Sequence, residues 1–182
     1  MTSECYKSGF RVAKSSVKEI RARAMSVRDI LIPDGAPDLE LFLESLEKFG
    51  ITYDVVEDGF LPPGVEASCL PEKRVIYITS TVFEGVVRNE ERARFTIFHE
   101  LGHLLLAHSR SFHSDTTLGF PIWENSEWQA DQFAAEILMP LDVIRVKNLT
   151  TAGELRAMFG VSYTAASIRL AKLRSRREIK NA

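Results

Sequence analysis

The chain has 182 residues, 45% of them apolar and 26% charged, with a formal net charge of −2 and two cysteines. That is enough chain for one domain with a self-sufficient core, and the charge balance argues against a dedicated polyanion binder. Cys5 and Cys69 lie 64 residues apart, the start lacks a leader-like apolar stretch, and no apolar run reaches 18 residues. The expectation is a reduced, cytoplasmic protein, neither membrane-spanning nor a secreted digestive enzyme.

Charge is unevenly placed. Residues 1–31 carry seven Lys/Arg against three Asp/Glu, residues 32–144 seven against twenty, and residues 145–182 nine against two. Basic ends of this kind read first as solvated surface, ending in a tail with Arg174, Arg176, Arg177 and Lys180. Residues 10–31 show helical apolar spacing and stop at Pro33-Asp34-Gly35. Asp38 is placed to N-cap a helix through Phe49, which Gly50 ends. Three extended runs, Ile51–Val56, Val65–Leu70 and Val75–Thr79, predict a small, largely antiparallel sheet.

Asn89 then reads as the cap of a long helix with Glu90 and Glu91 in its first turn. It should run to about His108 and bury Phe98, Leu101, Leu104 and Leu105. Residues 109–123 have no period and read as a loop. Ser126 and Gln129 suggest a capping box for a helix to Met139, stopped by Pro140, and short helices should fill residues 141–173. The fold class is α+β.

Within the long helix stands His99-Glu100-Leu101-Gly102-His103. Histidines four apart point the same way on a helix and can offer two imidazoles to one metal ion. Glu100 is then placed to handle the proton of an activated water. Surface histidines on an amphipathic helix are the competing reading. Gly102 costs about 1 kcal/mol against alanine in mid-helix, so close approach by another backbone or a substrate should repay it.

A hydrolytic zinc site needs a third protein ligand. The extension HExxHxxGxxH is closed, because positions 106 and 109 hold Leu106 and Ser109. His108, five residues past His103, should face about 140° away on a continuing helix. The better candidate is Glu127, 24 residues after His103, which opens an ExxxD pattern with Asp131. Spacing of four puts both carboxylates on one face, with Ala130 and Ala134 allowing close packing. Glu127 would bind zinc while Asp131 accepts the outer N–H of a ligand histidine. A first-turn acid at 127 and a solvated acid at 131 are the plainer alternatives.

The run from Arg94 through His99-Glu100-Leu101-Gly102-His103 to His108 resembles the core of the ImmA/IrrE family of metallopeptidases. So does the later run from Glu127 through Ala130-Asp131 and Phe133-Ala134-Ala135-Glu136 to Leu138-Met139-Pro140. The resemblance implies a gluzincin-like α+β domain over residues 38–145. His99, His103 and Glu127 match the family's zinc ligands, and Glu100 its catalytic acid/base. It also implies an intracellular regulator that cuts a helix-turn-helix repressor to relieve repression. Residues 1–37 fall outside the pattern as an N-terminal extension. Residues 146–182 form a C-terminal segment in which residues 155–170 read like a helix-turn-helix, with Gly160 in the turn and Ser162 as a cap.

The leading reading is therefore a zinc-dependent, site-specific endopeptidase acting on such a repressor. Tyr163, His113 and Arg94 are candidates for stabilising the developing oxyanion. The sheet edge at Val65–Leu70 or Val75–Thr79 is a candidate for binding substrate by strand addition. A second reading is a non-catalytic, antitoxin-like regulator that captures its partner on the same scaffold. A third is a DNA-binding regulator that would expose Tyr163, Thr164, Ser167 and Arg169.

Overall fold

The computed structural model describes residues 9–32, 36–108 and 120–180. Helix α1 spans Val17–Leu31 and α2 spans Leu39–Leu46, the latter continued by a single 3-10 turn at Glu47–Phe49. Strands β1 (Thr52–Val56), β2 (Ala67–Leu70) and β3 (Val75–Thr79) follow, then α3 (Ser80–Val87) and α4 (Glu91–Leu105). The rest is α5 (Ser126–Leu138), α6 (Leu141–Val146), α7 (Ala152–Phe159) and α8 (Tyr163–Ser175). The fold is α+β, as expected.

The sheet is mixed rather than largely antiparallel. Its order is β1-β3-β2, with β1 parallel to β3 and β2 antiparallel to β3. Only β2 and β3 are joined by a tight turn, which forces them antiparallel. The longer path through residues 57–66 and β2 lets the chain re-enter beside β1 in the same direction. Val75–Thr79 is thus the central strand and offers no edge, while β2 is an edge strand packed against α4.

Local signals set most boundaries. Asp38 caps α2 through the Leu41 amide, and Gly50 takes the left-handed conformation (φ 67°) that ends this helical stretch. The first helix begins at Val17, later than its apolar spacing suggests, because Ser16 and Glu19 form a capping box there. Asn89 does not cap α4; Glu90 holds that position, and the Asn89 side chain accepts from the Leu39 amide of α2 at 2.9 Å. Nor do Ser126 and Gln129 box α5. Asn125 caps it by accepting from the Trp128 amide. Helix α3 has no counterpart in the sequence reading.

A single core joins all three segments of the chain. Ile20 and Ala24 of α1, Ile76 and Ile78 of β3, Phe98 and Leu101 of α4, Phe133 and Ile137 of α5, and Leu155 and Leu170 of α7 and α8 are all buried in it. Helices α4 and α5 cross at the centre, and α1 lies along α5. At the crossing, a Cβ on Gly102 would stand 3.2 Å from the Cα and carbonyl oxygen of Ala130 and from the Cβ of Phe133. That is the close backbone approach the mid-helix glycine implies.

The N-terminal segment ahead of α1 runs as an extended strap over the start of α5. Val12 and Ser15 donate their amides to the carbonyls of Glu124 and Trp123, and Ser126 donates to that of Phe10. Gly9 (φ 105°) packs so closely that a Cβ there would fall 2.9 Å from Cγ of Glu127. The turn at Pro33-Asp34-Gly35, Cys5 and His113 lie outside the described residues.

Candidate metal centre

The crossing of α4 and α5 decides the site. Because Gly102 lets the helices meet, the first turn of α5 is carried onto the face of α4 that presents His99 and His103. The Nε2 atoms of the two rings are 3.0 Å apart. Glu127 closes the triangle, with Oε2 at 3.3 Å from His99 Nε2 and Oε1 at 3.4 Å from His103 Nε2. The His103 and His99 side chains retain 11% and 17% exposure and that of Glu127 29%, so the group lies just under the surface.

Among the described residues, this is the one group of His, Cys, Asp and Glu side chains able to hold a metal ion. A tetrahedral zinc with ligand bonds of about 2.0–2.1 Å has ligand–ligand edges of about 3.3–3.4 Å. Glu127 turns one oxygen toward each ring, so the two imidazoles and the carboxylate stand close to those spacings and can supply three of the four corners. The donor set is also the borderline-soft N/O mixture that suits zinc.

The surroundings hold each ligand in place. Asp131, one turn beyond Glu127, accepts from Nδ1 of His99 at 2.9 Å. Burial alone would lower the His99 pKa, but its bonds to Asp131 and Glu127 outweigh that and push it up to about 10. Bonds from His103 and His99 hold the Glu127 carboxyl well below the usual carboxylate range. The centre thus retains a proton strongly where a divalent cation would compete for the same lone pairs. Glu100, half-buried beside the pair, has its pKa raised by burial. Cys69 of β2 hydrogen-bonds Glu100, and its thiol is pushed far up by burial and that neighbour, so it is neither thiolate nor ligand.

His108 corrects the sequence reading. It does not face away, because α4 ends at Leu105 and Ala107 takes a left-handed conformation (φ 54°) that turns the chain back. Its Nδ1 meets Nδ1 of His103 at 3.0 Å, and its Nε2 meets Oε1 of Gln129 at 3.0 Å. Burial pushes its pKa down to about 4. Nothing local in Leu106-Ala107 announces the turn, since neither residue is a usual helix stop.

Of the oxyanion candidates, buried Arg94 donates to the carbonyls of Pro37 and Asn89 and packs beneath Gly160. Tyr163 opens α8 with 63% of its surface exposed. The helix-turn-helix outline itself is present: α7, Gly160 in the left-handed conformation, Ser162 capping α8 through the Ala165 amide. Tyr163 and Thr164 are exposed and Ser167 is half-buried. Arg169 is not a surface reader. It is 1% exposed, clamped on both oxygens of Glu136 at 3.0 and 2.6 Å and on the Met139 carbonyl. Its partners lie some thirty residues upstream, out of reach of any local pattern.

With this geometry in hand, comparison with known proteins is decisive at one level. The profile of the IrrE N-terminal-like domain, a peptidase family, matches residues 38–171. The chain belongs to this family. It carries a metallopeptidase-like domain of which the His99–His103–Glu127 group is a part. No curated protein matches it. Among solved structures, a Mycobacterium tuberculosis transcriptional regulator is similar at 19% identity and a TM-score of 0.56. The alignment covers 85% of this chain but 46% of that one, so the likeness is one of fold and spans about half of the regulator. Among the described residues, no helix is long and apolar enough to cross a membrane.

Proposed function

We propose that the protein is a zinc-dependent, site-specific endopeptidase of the cytoplasm that cleaves a helix-turn-helix transcriptional repressor. The observation that carries this reading is the triangle of 3.0, 3.3 and 3.4 Å between two imidazole nitrogens and a carboxylate, with a half-buried carboxyl beside it. His99, His103 and Glu127 would hold the ion, and Asp131 would orient His99. A bound zinc supplies Lewis acidity, lowering the pKa of water and polarising a scissile carbonyl.

The chain's own residues do the rest. Glu100 takes the water's proton and delivers it to the departing amine, a role its raised pKa suits, since a stronger base is also a better-timed acid near neutral pH. Strand β2 borders Glu100 through Cys69 and lies at the sheet edge, which supports docking of an extended substrate segment by strand addition. The repressor as substrate follows from the family resemblance rather than from the site. Burial of Arg169 removes the main support for a DNA-reading role.

The test is incubation with the repressor encoded beside this chain's gene, with and without chelator, followed by mass analysis. Glu100→Gln should keep stoichiometric zinc and lose cleavage by about 10²–10⁴-fold. Full cleavage by that variant would remove Glu100 from the chemistry. Tight capture of the repressor without any cut product would instead establish the non-catalytic, antitoxin-like role.

A further inference from the structure

The bonds around His108 form a chain that starts at two backbone carbonyls and ends at the metal point. Gln129 Nε2 stands 2.8 Å from the Ala13 carbonyl of the strap and 2.7 Å from the Trp123 carbonyl. Both are pure acceptors, so the amide must present its NH₂ group to them and its Oε1 to His108. Oε1 can only accept, so His108 must carry its proton on Nε2. When His103 gives Nε2 to a metal ion its proton sits on Nδ1, so the bare Nδ1 of His108, 3.0 Å away, is the acceptor. The polarity that the two carbonyls set at the far end is thus the one that leaves Nε2 of His103, the atom facing His99 and Glu127, free for an ion.

We propose that Gln129 and His108 are positioning residues that fix His103 in its Nδ1–H form, with two backbone carbonyls, one from the N-terminal strap, setting the polarity of the chain. The proposal rests on the metal-site reading above. His108, Gln129 and a pair of carbonyls do for His103 what the single Asp131 carboxylate does for His99. The strap is therefore part of the site, although it precedes the residues that match the family.

The first measurement is a long-range ¹H–¹⁵N correlation spectrum of the zinc-loaded protein. The expected pattern is His103 carrying its proton on Nδ1 and none on Nε2, with His108 the reverse. His108 protonated at Nδ1 and bare at Nε2 overturns the proposal. The second is zinc affinity by competition with a fluorescent chelator. His108→Asn can place Oδ1 where Nδ1 stood and should stay within a few-fold of the parent. His108→Leu, of similar bulk but without an acceptor, should lose about 10–100-fold, and Gln129→Leu should lose a comparable factor. Equal affinities for the Asn and Leu variants would reduce His108 to packing. Absence of zinc binding by the parent chain would instead sink the metal-site reading, and the relay with it. If His108→Leu does not fold, the spectrum of His108→Asn, with His103 still protonated at Nδ1, carries the same test.

Discussion

Helix α5 carries a buried polar cluster at each end, and the two are balanced in opposite ways. Near its C-terminus Glu136, fully buried, accepts from Arg169, Arg21 and Gln132, so a permanent anion is answered by permanent cations. Near its N-terminus Glu127 is answered by two imidazoles, which bear charge only when protonated. The first cluster is complete as it stands. The second holds its lone pairs around one point, and only a proton or a metal cation completes it. Polar burial by itself does not mark a functional site; the mismatch between fixed negative charge and conditional positive charge does.

The largest expected effect breaks the incomplete cluster. Glu127→Ala removes one of three ligands, and purified protein should pass from stoichiometric zinc to none after dialysis, with cleavage lost alongside. Its unfolding midpoint without metal should fall only modestly, through the lost bonds to His99 and His103, because the core around α5 is untouched. Retained zinc in that variant would show that the ion is held elsewhere.

Breaking the complete cluster should do the reverse. Arg169→Met leaves Glu136 with Arg21 as its remaining cation and strips the Met139 carbonyl of its donors. A loss of about 3 kcal/mol is expected in denaturant unfolding at pH 7, at the low end for a broken buried pair because Arg21 remains. Zinc stoichiometry should be unchanged. The same cluster predicts a pH dependence. Burial would raise the Glu136 pKa, but the bonds from Arg169 and Arg21 overcome it and hold it below the ordinary 4.5. Its stabilisation is therefore complete above about pH 4.5 and is lost as pH falls through the depressed folded-state value. Stability of the metal-free protein that stays flat below pH 4.5, with its midpoint insensitive to Arg169→Met, would contradict this assignment.

The two ends of α5 were also unequally legible in the sequence. His99, Glu100, His103, Glu127 and Asp131 come together as helical spacing implies, since each set lies within one turn of a single helix and Gly102 flags the contact between them. Gly160 and Ser162 likewise act locally, and both stand where the pattern puts them. What escaped detection depends on distant partners. Arg169 looks like a surface cation until Glu136 meets it, and Gln129 looks like a capping residue until two carbonyls and an imidazole claim its amide. His108 escapes for a different reason. Helical spacing misplaces it, because α4 ends three residues earlier without a glycine to mark the stop. The parallel pairing of β1 with β3 is equally non-local, because strand runs fix alternation but not the route between them.

The smallest expected effect lies between the two clusters, at Gly102. Alanine there gains about 1 kcal/mol in helix propensity, yet its Cβ would press on the Ala130 backbone and on Phe133 at 3.2 Å, tighter than ordinary contact. Backbone cannot swing aside as a side-chain tip can, so overpacking of about 1–3 kcal/mol should win and leave a net loss of about 1 kcal/mol. The strain should fall unequally on the two ends of α5. Moving the helix by a few tenths of an ångström alters all the ligand separations at Glu127, whereas the long arginines around Glu136 can follow. Zinc affinity should drop by a small factor while the acid limb of the stability profile keeps its shape. A variant that is stabler than the parent, with unchanged zinc affinity, would mean that the helix crossing is set elsewhere and that the glycine has another cause.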